Sequence, residues 1–142
     1  MRSKHKWLQA ASCLLCVVVM WEYGYVFVFS GTEASGGAIT GPIENLYDIS
    51  FLLFIIALLL TFFRLRTAAI LTMFAALLSI PLNLYFVAPN VFKVIPGIIW
   101  EGPPEPNFVW RPRAVVGAFS TATAFFIALW NFVTVGRPRL KQ

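Results

Sequence analysis

One ionisable side chain stands inside an apolar run near the start of this sequence. The run, VVVMWEYGYVFVF, covers residues 17–29 and contains a single carboxyl group, Glu22. A charged residue at the centre of a membrane-spanning helix costs about 2.5–3.5 kcal/mol, so it is a candidate for binding a proton, a cation or a lipid headgroup. The alternative is a glutamate close enough to the interface to be hydrated, or one that is neutral and hydrogen-bonded to a neighbour such as Asn83.

The two cysteines are the next candidates for chemistry. Cys13 and Cys16 form the motif CLLC, and a C-x-x-C pair can be a redox couple or half of a zinc site. Both lie in an apolar run, the chain has no second C-x-x-C, and its single histidine is His5. We therefore interpret both cysteines as small buried side chains, and a redox role is the alternative.

The sequence lacks the residue sets of the common catalytic and cofactor sites. It has no P-loop, no G-x-G-x-x-G motif, no Ser–His–Asp set and no pair of carboxylates within one apolar run. No histidine lies inside an apolar run, so the usual axial ligand of a haem is missing. These patterns predict a protein that is not an enzyme and has no metal ligands or cofactor.

The composition indicates a membrane protein. Of 142 residues, 59% are hydrophobic and 12% are charged, against about 45–50% and about 25% in soluble domains. The length suggests one domain, residues 1–142. The net charge is +5, but Lys and Arg lie at the ends of apolar runs and form no stripe with aromatic residues, which argues against a nucleic-acid partner.

Four apolar runs, at about residues 8–29, 46–63, 67–88 and 114–135, are each close to the ~20 residues that cross a bilayer as a helix. They are continuous and do not alternate, which favours helices over a barrel. The first run follows the basic segment MRSKHK, as in a signal peptide, but exceeds the usual core of about 7–15 residues, so we expect it to be retained. The prediction is an all-α integral membrane protein with four transmembrane helices in an antiparallel bundle.

Basic residues orient this bundle. Eight of the 11 Lys and Arg residues fall on one side, namely Arg2, Lys4, Lys6, Arg64, Arg66, Arg137, Arg139 and Lys141. The positive-inside rule then places both termini in the cytoplasm, and we expect a multi-pass protein of a bacterial inner membrane. The turn RLRT makes the second and third helices antiparallel neighbours. A long Pro-rich outer loop, residues 89–113, joins helices 3 and 4, and its apolar residues suggest that it rests on a surface.

Small residues predict which helix faces pack, because close backbone approach holds helices together in lipid. They repeat along the third run as Thr72, Ala76, Ser79 and Asn83, and along the fourth as Gly117, Thr121, Ala124, Ala128 and Asn131. The second run has almost no small residues, so we expect it to face lipid or a partner. Pro81 is expected to kink the third helix.

A polar layer is predicted in the outer third of the bundle. The helical rise of 1.5 Å per residue places Glu22, Ser50, Asn83 and Thr121 near one level. The tyrosines Tyr23 and Tyr85 lie at the same end of their runs, as in an aromatic belt.

Two functions are compatible with these features. The first is an accessory subunit of a larger membrane complex, such as a respiratory or photosynthetic one, whose partners are lipids and other membrane subunits. The alternative is a stand-alone bundle that binds a quinone, sterol or carotenoid in an outer-leaflet pocket around Glu22 and Asn83. A pore is the third hypothesis, and we set it aside because the inner halves of the runs show no polar face.

Overall fold

The computed structural model describes residues 2–29, 42–81, 83 and 112–135, with side chains for 4–22, 45–81, 83 and 115–135. Within these residues the regular secondary structure is all helical and contains no strand, which confirms the all-α part of the prediction. The four helices are α1 (Arg2–Phe29), α2 (Pro42–Leu60), α3 (Leu65–Leu78) and α4 (Pro112–Val135). The segments 30–41 and 84–111, which contain most of the Pro-rich outer loop and a first outer loop between α1 and α2, lie outside the described residues.

One helix in the described part of the chain is long and apolar enough to cross a membrane. It covers Val115–Val135, with a mean hydropathy of 1.6. Two further segments, Asn45–Leu60 and Leu65–Leu78, are apolar but shorter.

Proline marks three helix boundaries. Pro42 and Pro112 are the first residues of α2 and α4, where a fixed φ suits the helix and the missing N–H leaves no hydrogen bond unmade. Regular α3 ends at Leu78, shortly before Pro81, and the predicted end of the third run at residue 88 lies outside the described residues. Ile80, Pro81 and Asn83 again have helical backbone, and the Asn83 N–H donates to the Ser79 carbonyl over 3.0 Å.

The helices form a ring in which each packs against the next in sequence. α1 contacts α2, α2 contacts α3, α3 contacts α4, and α4 returns to α1, whereas α1 and α3 lie across the ring and touch little. A tight turn joins α2 to α3, where the Arg64 N–H donates to the Leu60 carbonyl over 2.7 Å. Helices joined by so short a turn are antiparallel neighbours.

The core is built mainly from small side chains. It contains Cys13, Cys16, Met20, Phe54, Ala57, Ala75, Ala76 and Ala124. Phe54 and Ala57 belong to α2, so the expectation that the second helix faces only lipid or a partner is wrong for this face. The opposite face of α2 does carry bulky exposed residues, among them Leu52 and Leu59.

Candidate functional site

A chain of hydrogen-bonded polar side chains crosses the bundle near the start of α1. Gln9 on α1 and Asn131 on α4 both have 0% exposure. Asn131 Nδ2 donates to Gln9 Oε1 over 3.0 Å, and Gln9 Nε2 donates to Thr72 Oγ1 on α3 over 2.7 Å. His5 Nδ1 lies 2.9 Å from Asn131 Oδ1. We call His5, Gln9, Thr72 and Asn131 the interior network, and it connects three helices.

The donors of the interior network can be assigned from its Thr72 end. The Thr72 hydroxyl donates its only proton to the Ala68 carbonyl over 2.9 Å, so the Gln9 atom facing it must be the amide nitrogen. Gln9 Oε1 therefore accepts from Asn131 Nδ2, which leaves Asn131 Oδ1 as the acceptor for His5. Nδ1 of His5 therefore carries a proton in this contact.

The interior network corrects the expectation that the inner halves of the helices lack a polar face. Gln9 was not predicted, although a sequence signal exists. The residues of α1 at positions 5, 9, 13, 16 and 20 are three or four positions apart, as on one helix face. All five turn toward the bundle. They are His5, Gln9, Cys13, Cys16 and Met20.

The cysteines are part of this interior and are not bonded to each other. Both are free thiols and buried. Cys13 Sγ lies 3.3 Å from Thr72 Oγ1, and because that hydroxyl donates to Ala68, the thiol is the donor. Among the residues that the structure describes, no three His, Cys, Asp or Glu side chains are grouped so as to hold a metal ion.

The structure brings together two members of the predicted outer layer. Asn83 Nδ2 donates to Thr121 Oγ1 over 3.0 Å and to Ser79 Oγ over 3.3 Å. Ser50 is buried but bonds elsewhere, since its hydroxyl donates to the Ala75 carbonyl over 2.7 Å and so joins α2 to α3. Tyr47, which was not predicted as a site residue, donates from its hydroxyl to the Met20 carbonyl.

The structure does not bring Glu22 into that layer. Its side chain is exposed on α1, and the described hydrogen bonds of Asn83 go to α3 and α4 instead. The side chains of Tyr23 and Tyr85 lie outside the described residues. The proposed packing residues are placed at helix contacts, because Thr72, Ala76, Ser79, Gly117, Ala124 and Ala128 are all buried.

Two grooves run along the surface of the bundle. The α3–α4 groove has a volume of about 400 Å³ and is lined by Ala76, Leu77, Ile80, Asn83, Ala118, Thr121, Ala122, Phe125 and Phe126. The α1–α4 groove has a volume of about 390 Å³ and is lined by Leu8, Ala11, Ser12, Leu15, Val115, Val116, Phe119, Ser120, Thr123 and Ile127. Polar groups in the first groove are confined to Asn83 and Thr121, on neighbouring helices.

Two cationic side chains connect neighbouring helices at the end of the bundle opposite to Asn83. Lys6 Nζ donates to the Phe62 carbonyl over 2.9 Å, which ties the start of α1 to the turn after α2. The Arg66 guanidinium lies 4.9 Å above the ring of Phe132, which ties the start of α3 to the end of α4. Such a cation–π contact contributes about 0.5–1 kcal/mol at an exposed site.

Comparison with known proteins assigns no relative. No protein-family model matches this chain, and neither the curated proteins nor the solved structures give a match. The site must therefore be interpreted from its own chemistry. The interior network joins helices by neutral hydrogen bonds, and the grooves offer surfaces to a helix or a lipid chain.

Proposed function

We propose that this protein is a four-span membrane subunit that supports a larger membrane complex by receiving a helix of a partner in its α1–α4 groove. The observation that carries the proposal is this groove, in which small residues of both helices, Ala11, Ser12, Ser120 and Thr123, lie among larger apolar ones. The expected localisation is the inner membrane of a bacterium, with both termini in the cytoplasm.

The distribution of polarity supports a lipid environment for all four helices. The largest fully buried side chains include Gln9, Asn131, Thr61 and Thr72. Large apolar side chains cover the outside of every helix, for example Trp21, Leu59, Phe74, Phe119 and Phe126, all exposed. A soluble protein has the opposite distribution, because burying apolar surface is what drives its folding.

The small residues of the α1–α4 groove support helix docking there. Ala11 and Thr123 are exposed, although small residues in membrane bundles usually lie where two backbones approach closely. Ser12 and Ser120 donate their hydroxyl protons to carbonyls of their own helices, Gln9 and Val116. The groove therefore combines these small residues with larger apolar ones such as Leu15 and Phe119. The hydroxyl protons of its two serines are already used, which suits van der Waals contact with another helix.

A native gel with mass spectrometry tests this proposal. The tagged protein is extracted from native membranes in mild detergent, and the composition of its band is determined. We expect a large band with fixed companions. Ala11→Leu and Thr123→Leu fill the groove and should lower the amount of these companions in the band. Ala122→Leu is the matched control, because it adds the same bulk at an exposed position of the other groove.

Two results would contradict the proposal. A band that contains only this chain in the wild type would show that no stable partner exists under these conditions of extraction. Companions that remain at the same ratio in Ala11→Leu and Thr123→Leu would place the docking surface elsewhere. Reporter fusions, described in the Discussion, test the four spans separately from the partner.

A further inference from the structure

The hydrogen bonds around Asn83 fix which of its two polar atoms remains available. The Ser79 hydroxyl donates its proton to the Ala76 carbonyl over 2.7 Å. The Thr121 hydroxyl donates to the carbonyls of Gly117 or Ala118, at 3.1 and 3.0 Å. Each hydroxyl has one proton, so both can only accept from Asn83. The atom of Asn83 that faces them is therefore the amide nitrogen, and both of its protons are used.

The other amide atom, Oδ1 of Asn83, accepts no hydrogen bond from the part of the chain that the structure describes. Asn83 is half-buried and lines the α3–α4 groove, whose remaining wall is apolar apart from Thr121. An amide oxygen without a partner in an apolar setting costs free energy, which a ligand that donates a proton would recover. The groove thus combines a hydrocarbon surface with one acceptor at its outer end.

From this arrangement we infer that the α3–α4 groove binds a lipid whose polar head is a hydroxyl group. The volume of about 400 Å³ lies within the ~300–1,000 Å³ typical of small-molecule sites. The hydrocarbon part lies against Leu77, Ile80 and Phe126, and the hydroxyl donates to Asn83 Oδ1. A lipid whose head is a carbonyl or an ether offers only acceptors, and it finds no free donor on Asn83 or Thr121.

This inference narrows the ligand class. It favours alcohols, such as a sterol or a quinol, over a quinone or an unsubstituted carotenoid. It does not depend on the partner helix proposed above, because the two grooves lie on different sides of α4 and use different residues.

Photo-crosslinking with matched probes tests the inference. The probes are a long-chain alcohol with a diazirine in its tail, its methyl ether and the ketone of the same length. Each is added to the purified protein in detergent, and labelled peptides are mapped by mass spectrometry. We expect the alcohol to label α3 and α4 at least about fivefold more than the ether or ketone, the factor that one hydrogen bond of ~1 kcal/mol provides.

Variants then test the residues. Asn83→Leu should remove the preference for the alcohol, and Ala122→Leu should lower labelling by all three probes. Ala11→Leu, in the other groove, should change neither. Thr121→Val frees one Asn83 N–H, so it should raise labelling by the ketone, and this comparison remains available if Asn83→Leu does not fold.

The inference is overturned by equal labelling with the alcohol and its methyl ether in the wild type. It is also overturned if the alcohol preference survives Asn83→Leu in a folded protein, or if ketone labelling stays at background in Thr121→Val. If the companions are lost in the native gel and the labelling does not change, that result bears on the proposed docking of a partner and leaves the lipid inference standing.

Discussion

Asn131 and Gln9 are hydrogen-bonded over 3.0 Å although 122 residues separate them in sequence. Neither side chain has exposed surface. Their bond joins the last helix to the first and so closes the ring of four. Interhelical hydrogen bonds of this kind contribute about 0.6 kcal/mol on average in membrane bundles and up to about 1.7 kcal/mol.

Replacing Asn131 by alanine should lower the free energy of unfolding by about 1–2 kcal/mol, because it leaves Gln9 Oε1 and the His5 ring N–H without their partner. Unfolding in mixed detergent micelles, followed by circular dichroism, measures this. Thr134→Val is the control, since the Thr134 hydroxyl bonds only to carbonyls of its own helix. Equal stability of the two variants would show that the interior network is not a stabilising contact.

Replacing both amides by apolar side chains should be less harmful than the single changes suggest. Gln9→Met combined with Asn131→Leu removes both polar groups and leaves no unpaired amide between them. We expect the loss of stability in the double variant to be smaller than the sum of the two single losses, in the same unfolding assay. A strictly additive result would mean that the two side chains do not interact.

Phe54 should be the most sensitive apolar position of α2. It has 0% exposure, and Phe54→Ala leaves a cavity in the core that costs about 2 kcal/mol by the cavity term alone. Phe63→Ala removes the same atoms from a side chain that is 84% exposed, and it should change the unfolding midpoint little. If the two variants unfold alike, Phe54 is not in the core.

The two thiols should be protected in the folded protein. Cys13 and Cys16 are buried in the core, so a maleimide should label neither in mild detergent and both after unfolding in SDS, as read by intact mass. Phe63→Cys supplies an exposed thiol as the positive control. Rapid labelling of the native thiols would show that the face of α1 that carries them opens to solvent.

The topology can be tested with reporter fusions. Green fluorescent protein joined after Gln142 should fluoresce, and alkaline phosphatase joined there should be inactive, because the proposal places this end in the cytoplasm. Fusions after Gly36, in the first outer loop, should give the reverse result. The same reporter active at both positions would mean that an even number of spans, and not the proposed three, separates them.

The packing faces of the third and fourth helices were predicted from periodic small residues, because these residues can be distinguished from the large apolar residues of the same runs. The orientation of the second helix could not be predicted in the same way. Its residues are nearly all large and apolar, so the sequence contains no contrast that would distinguish the buried Phe54 from the exposed Leu52 and Leu59.

The interior network was missed for a different reason. Gln9 and His5 lie at the edge of the first apolar run. Polar residues at such an edge are expected to be hydrated, so they do not indicate a buried hydrogen bond. Their partner Asn131 is more than a hundred residues away in the sequence. Which helices can share a hydrogen bond depends on their order around the ring, and the sequence does not specify this order. The Asn83–Thr121 pair was predictable from two features together: the helical rise puts both residues near one level, and both lie on small-residue faces.

The closure of the ring by α1 and α4 has a consequence for biosynthesis. If the four helices span a membrane, as proposed, and enter it in order, Gln9 is inserted long before Asn131 has been made. At about 5–20 residues per second, the 122-residue separation corresponds to a delay of about 6–25 seconds. During that interval Gln9 Nε2 can donate to Thr72 once α3 is present, but Gln9 Oε1 has no donor from Asn131 until α4 has been made. A nascent chain truncated before α4 would therefore carry an unpaired amide in the bilayer, a chemical mark by which quality-control proteases could distinguish incomplete chains from complete ones.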